Sequence, residues 1–188
     1  MNDPKIRDSF KKLYLKKVSI PCLIFDEMGI AGGSAISDLA AISSHALEGF
    51  EIKSASDTLY RLPRQIKFYN QVFNYINIIT EPKYLKEVEL LVPKFWGIIL
   101  TKEEKNGDVT FSYQRFPVSN PFVERRKQAE LIWKHEACQL LYEAGVRGIS
   151  KLRREKLWDL LSEKFTSQEL KVKIYETLRK RVNWKEPI

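Results

Sequence analysis

Asp38-Leu39-Ala40-Ala41-Ile42, then Phe50-Glu51-Ile52-Lys53, then Arg64-Gln65-Ile66-Lys67-Phe68-Tyr69 are the segments whose reading decides the fold. In an extended strand residues two apart share a face, so Glu51 and Lys53 project to one side while Phe50 and Ile52 point to the other. One carboxylate and one ammonium are thereby held beside a buried sheet. Asp38, on the preceding strand, can come alongside Glu51 and supply the second carboxylate of a site for a hard divalent cation such as Mg²⁺ or Mn²⁺. Gln65 and Tyr69 lie four apart on the helix that follows and share a face of it.

Phosphodiester hydrolysis calls for these residue types. A cation held by two carboxylates can polarise a phosphoryl oxygen, bring a water into line and neutralise charge on the leaving group. An adjacent lysine can position that water or stabilise the pentacovalent charge. Glu-x-Lys alone decides nothing, because it recurs at Glu103/Lys105 and Glu169/Lys171, where a hairpin turn and a surface helix make solvated charge the expected reading. Order and context separate the first copy: an aspartate on the preceding strand, the Glu-x-Lys ending its neighbour, and Gln-xxx-Tyr on the next helix.

Outward from this unit, Ser34 to Ser43 and Ala46 to Lys53 read as strands, with Gly49 marking a tight hairpin or a bulge. Asp57-Thr58 opens a helix through Phe73, with Pro63 close to its true start, and Asn74 to Thr80 is β-prone. Glu81-Pro82 starts a helix to about Leu91. Phe95 to Leu100 and Val109 to Phe116 are strands joined across Lys105-Asn106-Gly107-Asp108. Toward the N-terminus, Asp3-Pro4 opens a helix carrying Ile6, Phe10, Leu13 and Tyr14 with a lysine-rich outer face. Pro21 to Met28 reads as a second short helix ending at Gly29. Gly32-Gly33 follows in a loop, without the Gly-Lys-Ser/Thr of a phosphate loop. The expected fold class is therefore α/β, a sheet with helices against it in the order α-α-β-β-α-β-α-β-β.

After Asn120-Pro121 the character changes. Ala129, Ile132, Trp133, Leu140, Leu141 and Ala144 fall at helical spacing and Gly145 closes that helix; Ile149 to Phe165 and Ser167 to Trp184 follow as amphipathic stretches. The division is a core over residues 1–122 and a basic helical extension over 123–188 packed on it, with Trp133, Trp158, Tyr175 and Trp184 read as core aromatics. The 188 residues and 22.1 kDa suit one domain with such an extension.

A net charge of +8 with 44% hydrophobic residues excludes disorder and suits an anionic partner. The charge is lopsided. Residues 1–124 carry 16 basic and 15 acidic side chains, residues 125–188 carry 16 and 9. Arg153 and Arg154 head the basic helices that could track a nucleic-acid backbone, and Arg61, Arg64 and Lys67 cluster at a helix start where a phosphate would be welcome. Solvated helix faces are the alternative in both places, Glu and Asp being interspersed among the C-terminal bases. Cys22 and Cys138 form no disulfide framework, His45 and His135 have no partner at metal-ligand spacing, and neither a secretory stretch nor a membrane span is visible. The expectation is a soluble cytoplasmic protein with no membrane contact, a protein partner or a homodimer staying open.

On Asp38, Glu51-Ile52-Lys53 and Gln65-xxx-Tyr69 the sequence resembles the PD-(D/E)xK nuclease superfamily, in its RecB-like branch marked by the Gln-xxx-Tyr helix. More narrowly, Glu51 through Ser54, Asp57 through Gln65, Tyr69-Asn70 and Phe95-Trp96-Gly97-Ile98 resemble a small bacterial and phage family similar to the MmcB-like DNA-repair proteins. The match covers roughly residues 22–100 and continues more weakly through Asn120-Pro121 and Leu131 to Glu136. The resemblance implies a restriction-endonuclease-like mixed sheet. It implies Asp38 and Glu51 as metal ligands, joined by the backbone carbonyl of Ile52 and by Glu27 as an extra acid, with Asp26 beside it as its competitor. It implies Lys53 as the catalytic lysine, and Gln65 and Tyr69 as the residues that hold the geometry. Two positions depart: Ser37 replaces the proline of the motif, and Ile36 stands where a basic residue is expected. The expected function is Mg²⁺- or Mn²⁺-dependent hydrolysis of DNA in repair, phage biology or defence. The alternatives are a noncatalytic DNA-binding or repair-accessory module on the same fold and a helical protein-interaction subunit.

Overall fold

The computed structural model describes residues 2–181. Trp184, expected in the last helix, lies outside the described residues. One mixed sheet runs in the order β1 (Leu23–Ile30), β2 (Ala35–Ile42), β3 (Leu47–Lys53), β4 (Tyr75–Thr80), β5 (Gly97–Glu103) and β6 (Val109–Arg115). β1 to β3 pair antiparallel, β3 to β5 parallel, and β6 returns antiparallel along β5. Parallel neighbours need a crossover, and α2 (Leu62–Val72) and α3 (Leu85–Leu91) provide the two.

Strand periodicity sorts the side chains into two cores. Phe50 and Ile52 of β3 join Leu39, Ala41, Ile79 and Ile99 under Ile6 and Phe10 of α1 (Asp3–Lys17). Leu47, with Ala40, Ile42 and Ile78, faces the other way, against Leu62, Tyr69 and Val72 of α2. That second core extends without a break into α4 (Arg125–Ala129), α5 (Lys134–Glu143), α6 (Arg154–Lys164) and α7 (Ser167–Lys180), through Ala129, Leu141, Trp158 and Tyr175. Gln128 ties the layers together by donating from Nε2 to the Val72 carbonyl, 2.8 Å away. The expected mixed sheet flanked by helices is thus observed.

Two local expectations are corrected. The segment read as a helix over Pro21 to Met28 is strand β1, paired with β2 from Leu23 opposite Ile42 to Ile30 opposite Ala35. A partner strand pairs the inward side of this edge strand and leaves its outer side to solvent, whereas an eight-residue helix would leave most of its end groups without partners. The α2 helix begins at Leu62 rather than Asp57, whose carboxylate instead closes a turn by accepting from the Ser54 amide and hydroxyl at 2.8 and 2.7 Å. Among the described residues no helix is long and apolar enough to cross a membrane.

Gly49 in β3 fixes how closely α2 can approach. The ring of Phe73, just past the end of α2, lies on the glycine so tightly that a Cβ would stand 2.5 Å from a ring carbon.

Candidate active site

Asp38 is where strand pairing stops on both sides of β2. Its register with β1 is continuous from Leu23 to Ile30 except at Glu27, and with β3 the pairing ends at Leu39 opposite Phe50. Side chains replace the missing ladder. The Asp38 amide donates to the Tyr69 hydroxyl at 3.3 Å, and the Asp38 carbonyl accepts from Arg7 Nη1 at 2.5 Å. Asp38 Oδ2 in turn accepts from the Ile52 amide at 2.7 Å. The carboxylate thus stands in for a strand and splays β2 away from β3, while β3 stays paired with β4 as far as Lys53 opposite Thr80.

Glu51 sits in that opening, 1% exposed, and takes three donors. Lys53 Nζ and Gln65 Nε2 each donate to Oε1 at 2.6 Å, and the Tyr69 hydroxyl donates to Oε2 at 2.7 Å. Lys53, 3% exposed, also donates to Gln65 Oε1 at 3.1 Å. The strand alternation and the four-residue helix spacing therefore place Glu51, Lys53, Gln65 and Tyr69 in one hydrogen-bonded group, with Tyr69 bridging Glu51 to the backbone of Asp38.

Asp38, Glu51, Ile52, Lys53 and Gln65 line a cavity of about 520 Å³. Glu27, Asp3, Asp57, Arg61 and Arg64 line it too, and the Arg64 guanidinium lies 5.6 Å from the centre of the Phe68 ring. Lys67 is exposed on α2 and does not line the cavity. Arg153 and Arg154 are not brought to it either. Arg153 caps α6, and Arg154 borders a separate cavity with Trp133, Trp158 and Glu130, which meets the first only at Gly33. Clustered charge in the sequence reports how much there is, not where the helices point it.

Glu27 is an exposed strand residue with φ of 55°, in the left-handed region that side chains resist. Strained backbone of this kind concentrates at functional sites. Glu27→Gly is therefore expected to stabilise the protein by about 1 kcal/mol in urea unfolding while removing a carboxylate from the cavity. A loss of stability would show that the Glu27 side chain holds the fold.

Burial, and next the nearby charge of Glu51, push the Asp38 carboxyl up to about 7, against smaller opposing effects of the Ile52 amide and Arg7. Between an unfolded value near 3.9 and about 7 the folded protein holds a proton that the unfolded chain has released. The group thus favours folding most at acid pH and loses that contribution as pH rises toward 7. In chelator, the stability of wild type relative to Asp38→Asn is expected to fall between pH 5 and 7, by at most about 1.4 kcal/mol per pH unit. Urea unfolding at three pH values checks it, and a rise across the window would contradict it.

The donor set fits a small hard cation. Asp38 Oδ1 makes no hydrogen bond among the described residues, and the charge of Glu51 presses on the Asp38 carboxylate. Among the described residues no group of three or more His, Cys, Asp or Glu gathers as ligands. Two carboxylates and a carbonyl, with the remaining positions left to water and phosphate, is the arrangement Mg²⁺ accepts.

Sequence reasoning missed Arg7, which reaches the Asp38 carbonyl from 31 residues away. The available signal was the spacing of Asp3, Arg7 and Lys11 along one side of α1. It also missed Glu48, a half-buried acid on the opposite face of β3, whose carboxyl burial pushes up and which accepts from Tyr14 at 2.6 Å and Asn77 at 2.7 Å.

Three comparisons place these observations among known proteins. The family model of bacteriophage P4 protein cII matches residues 9–186. Protein cII of Enterobacteria phage P4 is 30% identical over 173 residues, covering 90% of this chain, and the chain spans 63% of that relative's length. Among solved structures, the SPO1766 protein of unknown function from Silicibacter pomeroyi aligns over 77% of this chain and 93% of its own, at 14% identity and a TM-score of 0.45.

Proposed function

The chain belongs to the bacteriophage P4 protein cII family, and we propose that it is a divalent-cation-dependent nuclease that hydrolyses DNA phosphodiester bonds in the cytoplasm. The observation that carries this reading is the convergence of Asp38, Glu51, Lys53 and Gln65, drawn from two strands and a helix, on one cavity that Arg61 and Arg64 also line, with the buried Tyr69 bonded to Glu51. An ion pair kept only for stability would need neither an open cavity nor a second carboxylate beside it.

Asp38, Glu51 and the Ile52 carbonyl would hold Mg²⁺ or Mn²⁺, with Glu27 at the margin. The cation when bound would polarise a phosphoryl oxygen and offset charge on the leaving oxygen. Lys53 has two of its three N–H groups engaged, by Glu51 and Gln65, which leaves one to hold a water or a phosphoryl oxygen. Gln65 fixes Lys53 and Glu51 relative to each other. Tyr69 spaces the two carboxylates by binding Glu51 and the Asp38 amide at once. Arg61 and Arg64 receive backbone phosphates at the rim, giving affinity without sequence preference.

Incubation with supercoiled and linear DNA is the test. Cleavage in Mg²⁺ or Mn²⁺ that EDTA abolishes is expected, and an intact substrate under every such condition sinks the proposal. Arg61 and Arg64 in the cavity lining leave room for a second reading, a noncatalytic DNA-binding module that holds phosphates without a cation. It predicts salt-sensitive DNA binding that EDTA leaves unchanged.

A further inference from the structure

Helix α1 lies over the other face of the sheet from α2, yet one of its side chains reaches the site. Arg7, 13% exposed, is gripped by Asp3 through Nη2 at 2.9 Å and Nε at 3.2 Å. From there Nη1 caps the Asp38 carbonyl, and Nη2 stands 3.7 Å from Asp38 Oδ1, the oxygen that makes no hydrogen bond. Asp26 of β1 stands 3.7 Å from Nη1, and Lys11, one turn along α1, holds the other oxygen of Asp26 at 2.7 Å. Arg7 is thus set among three carboxylates, two of which, Asp3 and Asp38, line the cavity.

We propose that Arg7 is a tethered counter-cation that sets how tightly the site takes its divalent ion. The inference rests on the reading of Asp38 and Glu51 as cation ligands. Capping a carbonyl needs a donor but no charge, so the guanidinium does more than the missing ladder requires. Its positive charge occupies the field of Asp38, and a divalent ion at the same carboxylate must enter against it. Two cations sharing one partly buried carboxylate repel strongly enough, at an effective dielectric near 20, to weaken binding of the divalent ion by at least about tenfold even with Asp3 offsetting part of the guanidinium charge. The Asp3 fork holds Arg7 on α1, so an arriving metal strains that contact rather than expelling the guanidinium from the site. Arg7 is a positioning residue for Asp38 as well as a charge: one N–H fixes the strand, the rest of the group sets the field.

Arg7→Gln keeps a donor for the Asp38 carbonyl and removes the charge, whereas Arg7→Lys keeps the charge and loses the fork. Free Mn²⁺ measured by electron paramagnetic resonance, without DNA, reads the affinity directly. Arg7→Gln is expected to bind Mn²⁺ at least about tenfold more tightly than wild type, and Arg7→Lys to stay within about threefold of it. A purely structural role predicts weaker binding by both variants. Equal or weaker binding by Arg7→Gln overturns the proposal while the cation site stands, and so does tightening by both variants alike. Binding by neither wild type nor variant overturns the cation site and the Arg7 proposal together. The expected pattern without DNA cleavage upholds Arg7 and removes the nuclease. Hydrogen exchange on the wild type supplies a measurement independent of any variant: Mn²⁺ is expected to speed exchange in the first turns of α1 as Arg7 is pushed from Asp38, and unchanged or slower exchange counts against it.

Discussion

Replacing Glu51 with alanine is expected to abolish cleavage and to unfold much of the protein in the same stroke, and the two losses can be separated. The carboxylate takes donors from Lys53, Gln65 and Tyr69 while almost wholly buried itself, and Lys53 is nearly as deeply buried as Glu51. Without Glu51 an ammonium stays buried with only an amide oxygen to answer it. Breaking one side of a buried ion pair costs about 3–5 kcal/mol, most of it from the charge left behind. The double variant Glu51→Ala, Lys53→Met removes that charge and fills the space with an apolar chain. It is expected to recover at least about 2 kcal/mol of the single variant's loss in urea unfolding and to stay inactive. A single variant as stable as wild type would mean that the pair is solvated and that the site is not built as described.

Gly49→Ala is the second large effect, and it acts without touching the chemistry. Phe73 is fully buried, and its ring sits 5.1 Å from that of Tyr69, so the ring on Gly49 cannot turn away without moving α2. Overpacking of a rigid core contact costs about 1–3 kcal/mol. Gln65 and Tyr69 ride on the displaced helix, and a shift of about 1 Å in positioning groups can cost on the order of 10²-fold in rate. Adding Phe73→Leu is expected to return part of both, because the smaller side chain gives the new methyl room. Rescue of stability without activity would show that α2 comes back in a different register, and rescue of neither would place the strain elsewhere.

The chain announced its site more clearly than its surroundings. Glu51 and Lys53 two apart on a strand, and Gln65 and Tyr69 four apart on a helix, are fixed by local geometry, and the structure brings all four together. The presence of Asp38 beside them depended only on two adjacent strands being antiparallel. Leu23, Ile24 and Met28 were ambiguous because a short apolar run satisfies helix and strand alike until a partner strand is known, and β2 is what decides it. Arg7 was harder to place for a different reason: its partner is a backbone carbonyl, which every residue has, so the spacing of Asp3, Arg7 and Lys11 marks a charged side of α1 without saying what it faces. Arg153 and Arg154 carried the right charge, but α6 directs Arg154 onto Trp158, 5.7 Å away, beside the other cavity. Charge is legible in a sequence. Direction belongs to the packing of helices whose contacts are distant along the chain.

The hydroxyl of Tyr175, in α7, donates to Asn74 Oδ1, and the same oxygen accepts from the Leu47 amide at the head of β3 at 2.9 Å. Asn74 and Tyr175 are 101 residues apart. A ribosome adding about 5–20 residues per second needs roughly 5–20 s to make that stretch. During that interval the candidate cation ligands already exist as polypeptide, while α7, which ties down the head of β3 through Asn74, has not been made. A nascent chain stopped short of Tyr175 is therefore expected to be less active than one that carries it, because the head of β3 is not yet tied to α7.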